Sequence, residues 1–222
     1  MQSNSIAITH QDSIFATNKV LKDTCRLLAM TLFFSAGCAY VTMALRLPHP
    51  GIILTMIGYL GLLYLTNRFS DSALGLVFVF ALTGFMGMTL GPIMNLYLNA
   101  FSNGHELILM AFGGTGVVFL GLSAYAMMTQ KDFSYMTGFL MTGVWVTFFA
   151  SLAVVLFPIP ALSLLVSALS IMVMTGIILI QTSAIINGGE TNYLMATVSL
   201  YVSLFNLFVS LLQLLGVIAG ED

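Results

Sequence analysis

The segment from Phe133 to Gly189 reads FSYMTGFLMTGVWVTFFASLAVVLFPIPALSLLVSALSIMVMTGIILIQTSAIINGG, 57 residues without one Asp, Glu, Lys or Arg. A membrane-spanning helix needs about 20 apolar residues, so this run is too long for one span and long enough for two. Pro158 and Pro160 mark the turn, because proline lacks a backbone donor and restricts the residue before it. The segment therefore predicts a helical hairpin with spans near residues 136–157 and 161–186.

Five further apolar runs lie on either side of this hairpin. They occupy residues 27–45, 51–67, 72–98, 107–129 and 193–218. The second run is short, and Arg68 can lengthen it because a long basic side chain snorkels to the membrane interface. Continuous runs exclude a transmembrane barrel, whose strands read as short alternating segments. We therefore predict an all-α polytopic membrane protein of seven transmembrane helices, one domain over residues 27–219 after a polar tail over residues 1–26.

The composition restricts the classes of function. Hydrophobic residues make up 59% of the 222 residues and charged residues only 6%, with a mean hydropathy of +1.04. A soluble domain carries about 25% charged residues, so a soluble enzyme and a disordered protein are excluded. Six Lys and Arg against eight Asp and Glu leave no basic surface for phosphates. We therefore expect the lipid bilayer as the environment and no nucleic-acid partner.

The carboxylates and histidines all fall outside the predicted spans, whereas an ionisable residue inside a membrane usually marks a site. Lys131 is the last lysine, which excludes a retinal Schiff base in the last span. Buried Asp pairs for aspartyl proteolysis, and buried His for a serine protease or a haem, are also missing. Cys25 and Cys38 would lie about 20 Å apart on one helix, so they cannot pair with each other. We therefore expect no enzyme activity, no cofactor and no metal site.

The basic residues are distributed unevenly between the two sides of the predicted bundle. Arg46 stands alone on one side. The other side carries Lys19, Lys22, Arg26, Arg68 and Lys131. Because cytoplasmic loops of membrane proteins carry an excess of Lys and Arg, this asymmetry predicts a cytoplasmic N-terminus. With seven spans, the C-terminus then lies on the opposite side of the membrane.

Weakly polar residues of the last span fall on one face. They are spaced by four, three, four and three positions, at Ser199, Ser203, Asn206, Ser210 and Gln213. Residues of the sixth span follow a similar register, at Ser163, Ser167, Ser170 and Gln181. Polar side chains avoid lipid, so the last helix is predicted to be central and wrapped by the others. The stripe has two readings, hydrogen-bonded packing between helices and a hydrated ion or proton path. Gly87 and Gly91 form a GxxxG pair, which is typical of close helix packing.

Several short motifs are familiar. The third span holds Gly84-Phe85-Met86-Gly87 and then Leu90-Gly91-Pro92-Ile93, and the fourth holds Gly113-Gly114-Thr115. More specific is Gly188-Gly189-Glu190-Thr191-Asn192-Tyr193, continuing as Ala196-Thr197-Val198-Ser199-Leu200-Tyr201-Val202-Ser203-Leu204. Over essentially its whole length, the chain resembles the Bax inhibitor-1 family, in the YccA-like branch of Gram-negative bacteria.

The resemblance implies a fold of seven helices with the last one central. It also implies a location in the bacterial inner membrane, with the C-terminus in the periplasm. YccA-like proteins are associated with the inner-membrane AAA protease FtsH and its membrane complex, as substrate and as inhibitor. The family signature falls here on Gly91, Pro92, Gly188, Gly189, Glu190, Asn192 and Tyr193.

Other members of the family are described as pH-sensitive calcium leaks that use two Asp facing each other between the sixth and seventh helices. The matching positions are Gln181 and Ser203. Calcium prefers anionic oxygens, whereas Gln and Ser offer only neutral dipoles, so the sequence argues against calcium binding. A calcium or proton-regulated ion leak through this interface remains the alternative function.

The N-terminal residues suit the protease association. Residues 1–18 are polar, carry one charge at Asp12 and show no clear helical period. We expect them to be an unstructured cytoplasmic segment that a processive protease could grip, while the uncharged bundle resists extraction. A chain that is engaged but hard to extract would act as a competitive inhibitor. The plain alternative is an ordinary disordered terminus.

Overall fold

The structure is a computed structural model that describes the backbone of residues 2–157 and 159–220 and the side chains of residues 19–157 and 159–220. Within this part of the chain, every regular element is helical. The helices are α1 (Gln2–Ala44), α2 (Ile52–Arg68), α3 (Ala73–Ala100), α4 (Gly104–Thr129), α5 (Thr137–Leu156), α6 (Pro160–Ile186) and α7 (Tyr193–Ala219). A 3-10 turn, Ser134–Met136, precedes α5. The predicted all-α polytopic architecture is confirmed.

Six of the seven helices are long and apolar enough to cross a membrane, and α2, at 17 residues, is the short one. The part of α1 that meets these criteria is Lys19–Ala44. The helix itself begins at Gln2, so the tail expected to be unstructured continues the first span as helical backbone. The physical reason is that residues 2–18 contain neither Gly nor Pro, and nothing in them terminates a helix.

The predicted α5–α6 hairpin is present. Phe157 closes α5 by donating its N–H to the carbonyl of Ala153 at 2.8 Å, and Ile159 is extended, with φ −101° and ψ 119°. Pro160 opens α6 in its first turn, where the missing N–H has no intrahelical partner in any case. Pro158, the other proline of the predicted turn, lies outside the described residues.

Helix α7 is central, as the sequence predicts. It packs against α1, α3, α4 and α6, while α2 lies on α3 and α5 lies on α6. Tyr201, a third of the way along α7, is 1% exposed, and its hydroxyl donates to the carbonyl of Thr83 on α3 at 3.0 Å. The same oxygen lies 2.5 Å from Ser35 Oγ of α1. One side chain therefore joins three helices at the core.

Helices α1 and α3 approach each other closely at the glycines of the third span. A Cβ at Gly91 would lie 2.7 Å from the carbonyl oxygen of Ala39, and one at Gly87 would collide with the carbonyl oxygen of Ser35. Beyond Pro92, the Asn95 amide donates to the carbonyl of Met43 across the same contact at 2.9 Å. The GxxxG pair therefore serves close packing of α3 on α1.

We predict that Gly91→Ala destabilises the protein, because the added methyl group meets backbone atoms of α1 that cannot move aside. The expected loss is about 1–3 kcal/mol, as for other overpacked sites. Thermal unfolding in detergent, followed by intrinsic fluorescence, measures it. The matched control is Gly113→Ala on α4, where a Cβ meets nothing within 4 Å. Equal melting temperatures for the two variants would contradict the close approach.

Candidate functional site

The turn between α6 and α7 is built by its two glycines. Gly188 has φ +74°, a left-handed conformation that strains other residues. The N–H of Gly189 donates to the carbonyl of Ala184 at 2.8 Å, and the N–H of Gly188 donates to that of Ile185 at 3.3 Å. These bonds satisfy the last carbonyls of α6 and reverse the chain. The glycines of the signature are therefore a helix stop.

Asn192 caps the central helix and ties it to another turn. Its Oδ1 accepts from the N–H groups of Leu194 at 2.9 Å and Met195 at 3.3 Å. Its Nδ2 donates to Asp71 Oδ1 at 3.2 Å, in the turn between α2 and α3. The carboxylate of Glu190 accepts the N–H of Asn192 itself at 2.8 Å. Tyr193 follows as the first residue of α7 and is 39% exposed. This part of the signature positions α7 in the fold.

A second set of bonds at the same end of the bundle was not anticipated from the sequence. Ser183 Oγ donates to the carbonyl of Lys131 at 2.7 Å, and the Asn187 amide reaches the same carbonyl at 3.3 Å. The α4–α5 turn is thereby held against the end of α6. The sequence feature that could have indicated these bonds is the spacing of Ser183 and Asn187, which lie four residues apart on one helical face next to a turn.

The predicted polar stripe of α7 divides into two parts. Ser199, Ser203 and Asn206 line a cavity between the helices. Ser210 is buried at 7% exposure, and the Gln213 amide donates to Ser163 Oγ of α6 at 2.7 Å. The C-terminal part of the stripe therefore makes an interhelical hydrogen bond, and the N-terminal part faces the cavity.

The cavity has a volume of about 720 Å³ and lies between α2, α3, α5, α6 and α7. Gln181 also lines it, so the structure brings Gln181 and Ser203 to one site. Ser203 is 2% exposed, and its hydroxyl donates to the carbonyl of Ser199 at 2.8 Å. The Asn206 amide donates to the carbonyl of Val202 at 2.8 Å. Two of the five predicted polar residues in the wall are thus hydrogen-bonded to their own helix.

The chemistry available in the cavity is that of neutral dipoles. Its described lining residues include no Asp, Glu, Lys, Arg or His. Across the described chain, no group of three His, Cys, Asp or Glu side chains is close enough to hold a metal ion. A hard cation such as calcium prefers anionic oxygens, which this wall does not offer. The arrangement suits an uncharged occupant.

Comparison with known families agrees with the architecture of the chain. The family model described as "Inhibitor of apoptosis-promoting Bax1" matches residues 17–220, nearly the whole chain. The chain belongs to the Bax inhibitor-1 family. The match takes in helices α2 to α7 and the part of α1 from residue 17, with the close contact between α1 and α3 and the turn that contains Gly188.

Individual relatives cover the same extent. The chain is 51% identical over 203 residues to an uncharacterized protein of Pseudomonas aeruginosa, with 91% of both chains covered. It is 49% identical over 204 residues to the Escherichia coli K12 protein named "Modulator of FtsH protease YccA", with 92% of both covered. The same identity holds for "Inner membrane protein YccA" of another E. coli strain. Together with the long apolar helices, these relatives support a multi-pass protein of the inner membrane.

We predict graded losses of stability at Asn192. Asn192→Ala removes the helix cap and the bond to Asp71, together about 2–3 kcal/mol. Asn192→Ser retains an oxygen for the cap and loses the bond to Asp71, so its melting temperature is expected between those of the wild type and the Ala variant. Asn99→Ala is the matched control, because Asn99 is exposed and, among the described residues, its amide bonds within α3, to Asn95 O at 2.6 Å. A melting temperature of Asn192→Ala equal to that of the control would refute the capping role.

Proposed function

We propose that this chain modulates the FtsH protease in the bacterial inner membrane, as a substrate that resists extraction and thereby inhibits competitively. The observation that carries the proposal is the 49% identity, over 92% of both chains, to the E. coli protein named for that activity. The long apolar helices of the bundle agree with a location in the membrane.

The proposed orientation places the N-terminus in the cytoplasm and the C-terminus in the periplasm. Hydrogen bonds group the α2–α3, α4–α5 and α6–α7 turns at one end of the bundle, through Asn192 to Asp71 and Ser183 to Lys131. That end receives the N-terminal part of α1 and carries five of the six basic residues, leaving Arg46 at the other. An excess of basic residues favours the cytoplasmic side.

The N-terminal tail is the proposed handle for the protease. The backbone of α1 continues from Gln2 into the span Lys19–Ala44, so a pull on the tail acts directly on the first span. In this function the protein begins to unfold at its first helix. The turns at the same end, residues 69–72, 130–136 and 187–192, are short and offer little chain to grip.

The first span is also among the most firmly held. Ser35 is bonded to Tyr201 of α7, and the Thr197 hydroxyl of α7 approaches the carbonyl of Thr24 at 3.4 Å. On its other side, α1 meets the glycine face of α3 around Gly91. Pulling on the tail therefore loads the contacts that are hardest to break. Slow extraction would keep the protease occupied and spare its other substrates.

We predict that the chain prolongs the half-life of an unassembled membrane substrate of FtsH, and that the effect depends on residues 2–18. A pulse-chase experiment compares cells without the protein, with the full chain, and with a chain lacking residues 2–18. The matched control replaces residues 2–18 by a Gly/Ser segment of equal length, which keeps the reach of the tail but not its sequence.

The result expected is protection by the full chain and loss of protection on deletion. Protection that survives deletion would keep the modulator function and reject the tail as the handle. Unchanged substrate half-lives in every arm would reject the proposed function itself, provided that membrane levels of the chain are equal. The Gly/Ser arm separates a length requirement from a sequence requirement.

The alternative function, an ion leak, has one observation in its favour, the presence of Gln181 and Ser203 in one cavity wall, while the neutral chemistry of that wall argues against calcium. We predict that the wild-type chain carries no calcium flux in proteoliposomes, because the wall lacks anionic oxygens. The double variant Gln181→Asp with Ser203→Asp is expected to gain flux, since carboxylates are good calcium ligands. Each single variant is the control. Wild-type flux that collapses in Ser203→Leu would instead establish the leak.

A further inference from the structure

The cavity described above extends along much of the bundle. Its lining on α5 extends from Thr137 to Ser151, which corresponds to about 21 Å at 1.5 Å per residue. The hydrocarbon core of a bilayer is about 30 Å thick, so one leaflet contributes about 15 Å. The cavity is therefore long enough to hold the acyl chain of a lipid from one leaflet.

The wall is predominantly apolar and adaptable. Five methionines line it, Met56, Met86, Met141, Met174 and Met195. Four aromatic residues complete the apolar surface, Tyr59, Phe85, Phe148 and Phe205. Methionine side chains are flexible and polarisable, and they adjust to a ligand whose own shape varies. Such a wall suits a hydrocarbon chain.

Several hydroxyls of the wall already have partners, which makes it less polar than its residue types suggest. Thr147 donates to the carbonyl of Gly143 at 2.8 Å, and Ser151 donates to the carbonyl of Thr147 at 2.8 Å. On α3, Thr89 donates to the carbonyl of Met86 at 2.7 Å. Ser203 is likewise bonded within α7. With these four hydroxyl hydrogens committed and no charge among the described lining residues, this part of the wall is poorly suited to an ion or a water column.

One long side of the cavity is open to the surface of the bundle. Helix α2 forms one rim and rests on α3, and α5 forms the other rim and rests on α6. The lining residues with exposed side chains at the α5 rim are Thr137, Met141, Phe148 and Ser151. In a polytopic membrane protein, this side of the bundle faces hydrocarbon, so a lipid chain can enter sideways.

Two polar side chains of the cavity wall, Gln181 and Ser199, lie near the α6–α7 turn. Gln181 is five residues from the end of α6, and Ser199 is six residues from the start of α7, so both lie about 8–9 Å inside that end of the bundle. An amide and a hydroxyl at this depth can donate to an ester carbonyl, which in a glycerolipid lies between the headgroup and the chain. A charged headgroup would then remain outside the uncharged cavity.

We propose that this cavity binds a membrane glycerolipid, with one acyl chain between α2 and α5 and its ester carbonyl at Gln181 and Ser199. The occupant comes from the leaflet on the side of the α6–α7 turn. The proposal does not depend on the protease function, because it uses only the shape, charge and exposure of the cavity.

The test uses the full chain in vesicles that contain a phosphatidylethanolamine with a diazirine in one acyl chain. After photolysis, adducts are mapped by peptide mass spectrometry. Adducts are expected on the inner cavity wall, within residues 174–181 of α6 and 195–206 of α7. These segments are shielded from the surrounding lipid by α5 and α2, so ordinary boundary lipid does not label them efficiently.

A pair of variants on α5 sharpens the test. Val144 lies midway along the α5 wall of the cavity, and Val144→Trp is expected to abolish the α7 adducts by obstructing the path of the chain. Val146, which is 50% exposed and is not a lining residue, provides the control Val146→Trp, which should leave them unchanged. Labelling of the outward residues Trp145 and Phe149 should persist in both variants and reports that each is folded in the bilayer.

Three results would overturn the proposal. Adducts confined to the outward face of α5 would show that no chain enters. Adducts on α7 that persist in Val144→Trp would place the lipid elsewhere. Stronger labelling of the inner wall by a water-soluble diazirine than by the lipid would identify a hydrated path. If Val144→Trp does not fold, the adduct map of the wild-type chain decides between the first and third results.

Discussion

The central helix of the bundle is held to α1 and α3 by the two hydrogen bonds of the Tyr201 hydroxyl. Its single hydrogen goes to the carbonyl of Thr83, so the Ser35 hydroxyl is the donor in the contact between Ser35 and Tyr201. This phenol can be buried in a hydrocarbon setting only because both neighbouring helices supply a partner. The partners are in reach because glycines let α3 approach α1. The central position of α7 therefore depends on the small residues of α3.

Much of this arrangement could be predicted from the sequence. The charge-free runs predict the helices, and the polar stripe predicts the central position of α7. Gly87 and Gly91 predict close packing of α3 against another helix. The sequence could not show that one part of the stripe lines a cavity and the other makes a hydrogen bond to α6. Periodicity places Ser203 and Gln213 on one face of α7, but it does not show which helix packs against each residue. The helical backbone of residues 2–18 was missed for another reason, since a segment without helical period can still continue a helix when nothing terminates it.

Two residues of the family signature have architectural roles in the structure. Gly188 reverses the chain, and Asn192 caps α7 and holds the neighbouring turn. Any functional difference within such a family then depends on side chains that the scaffold leaves free to vary. Gln181 and Ser203 are residues of this kind, because they line a space and do not support the fold through long-range bonds in the described chain.

The hydrogen bonds between the turns at one end of the bundle affect how the molecule responds to force. Side-chain hydrogen bonds from α6 and from the start of α7 hold the turns around Lys131 and Asp71, so the three turns at that end are linked to one another. Force applied to any one turn is shared with the others, whereas force applied along α1 is not shared through these bonds. A pull on a turn and a pull on α1 therefore load different sets of contacts, and the order in which the helices leave the membrane depends on hydrogen bonds as well as on hydrophobicity.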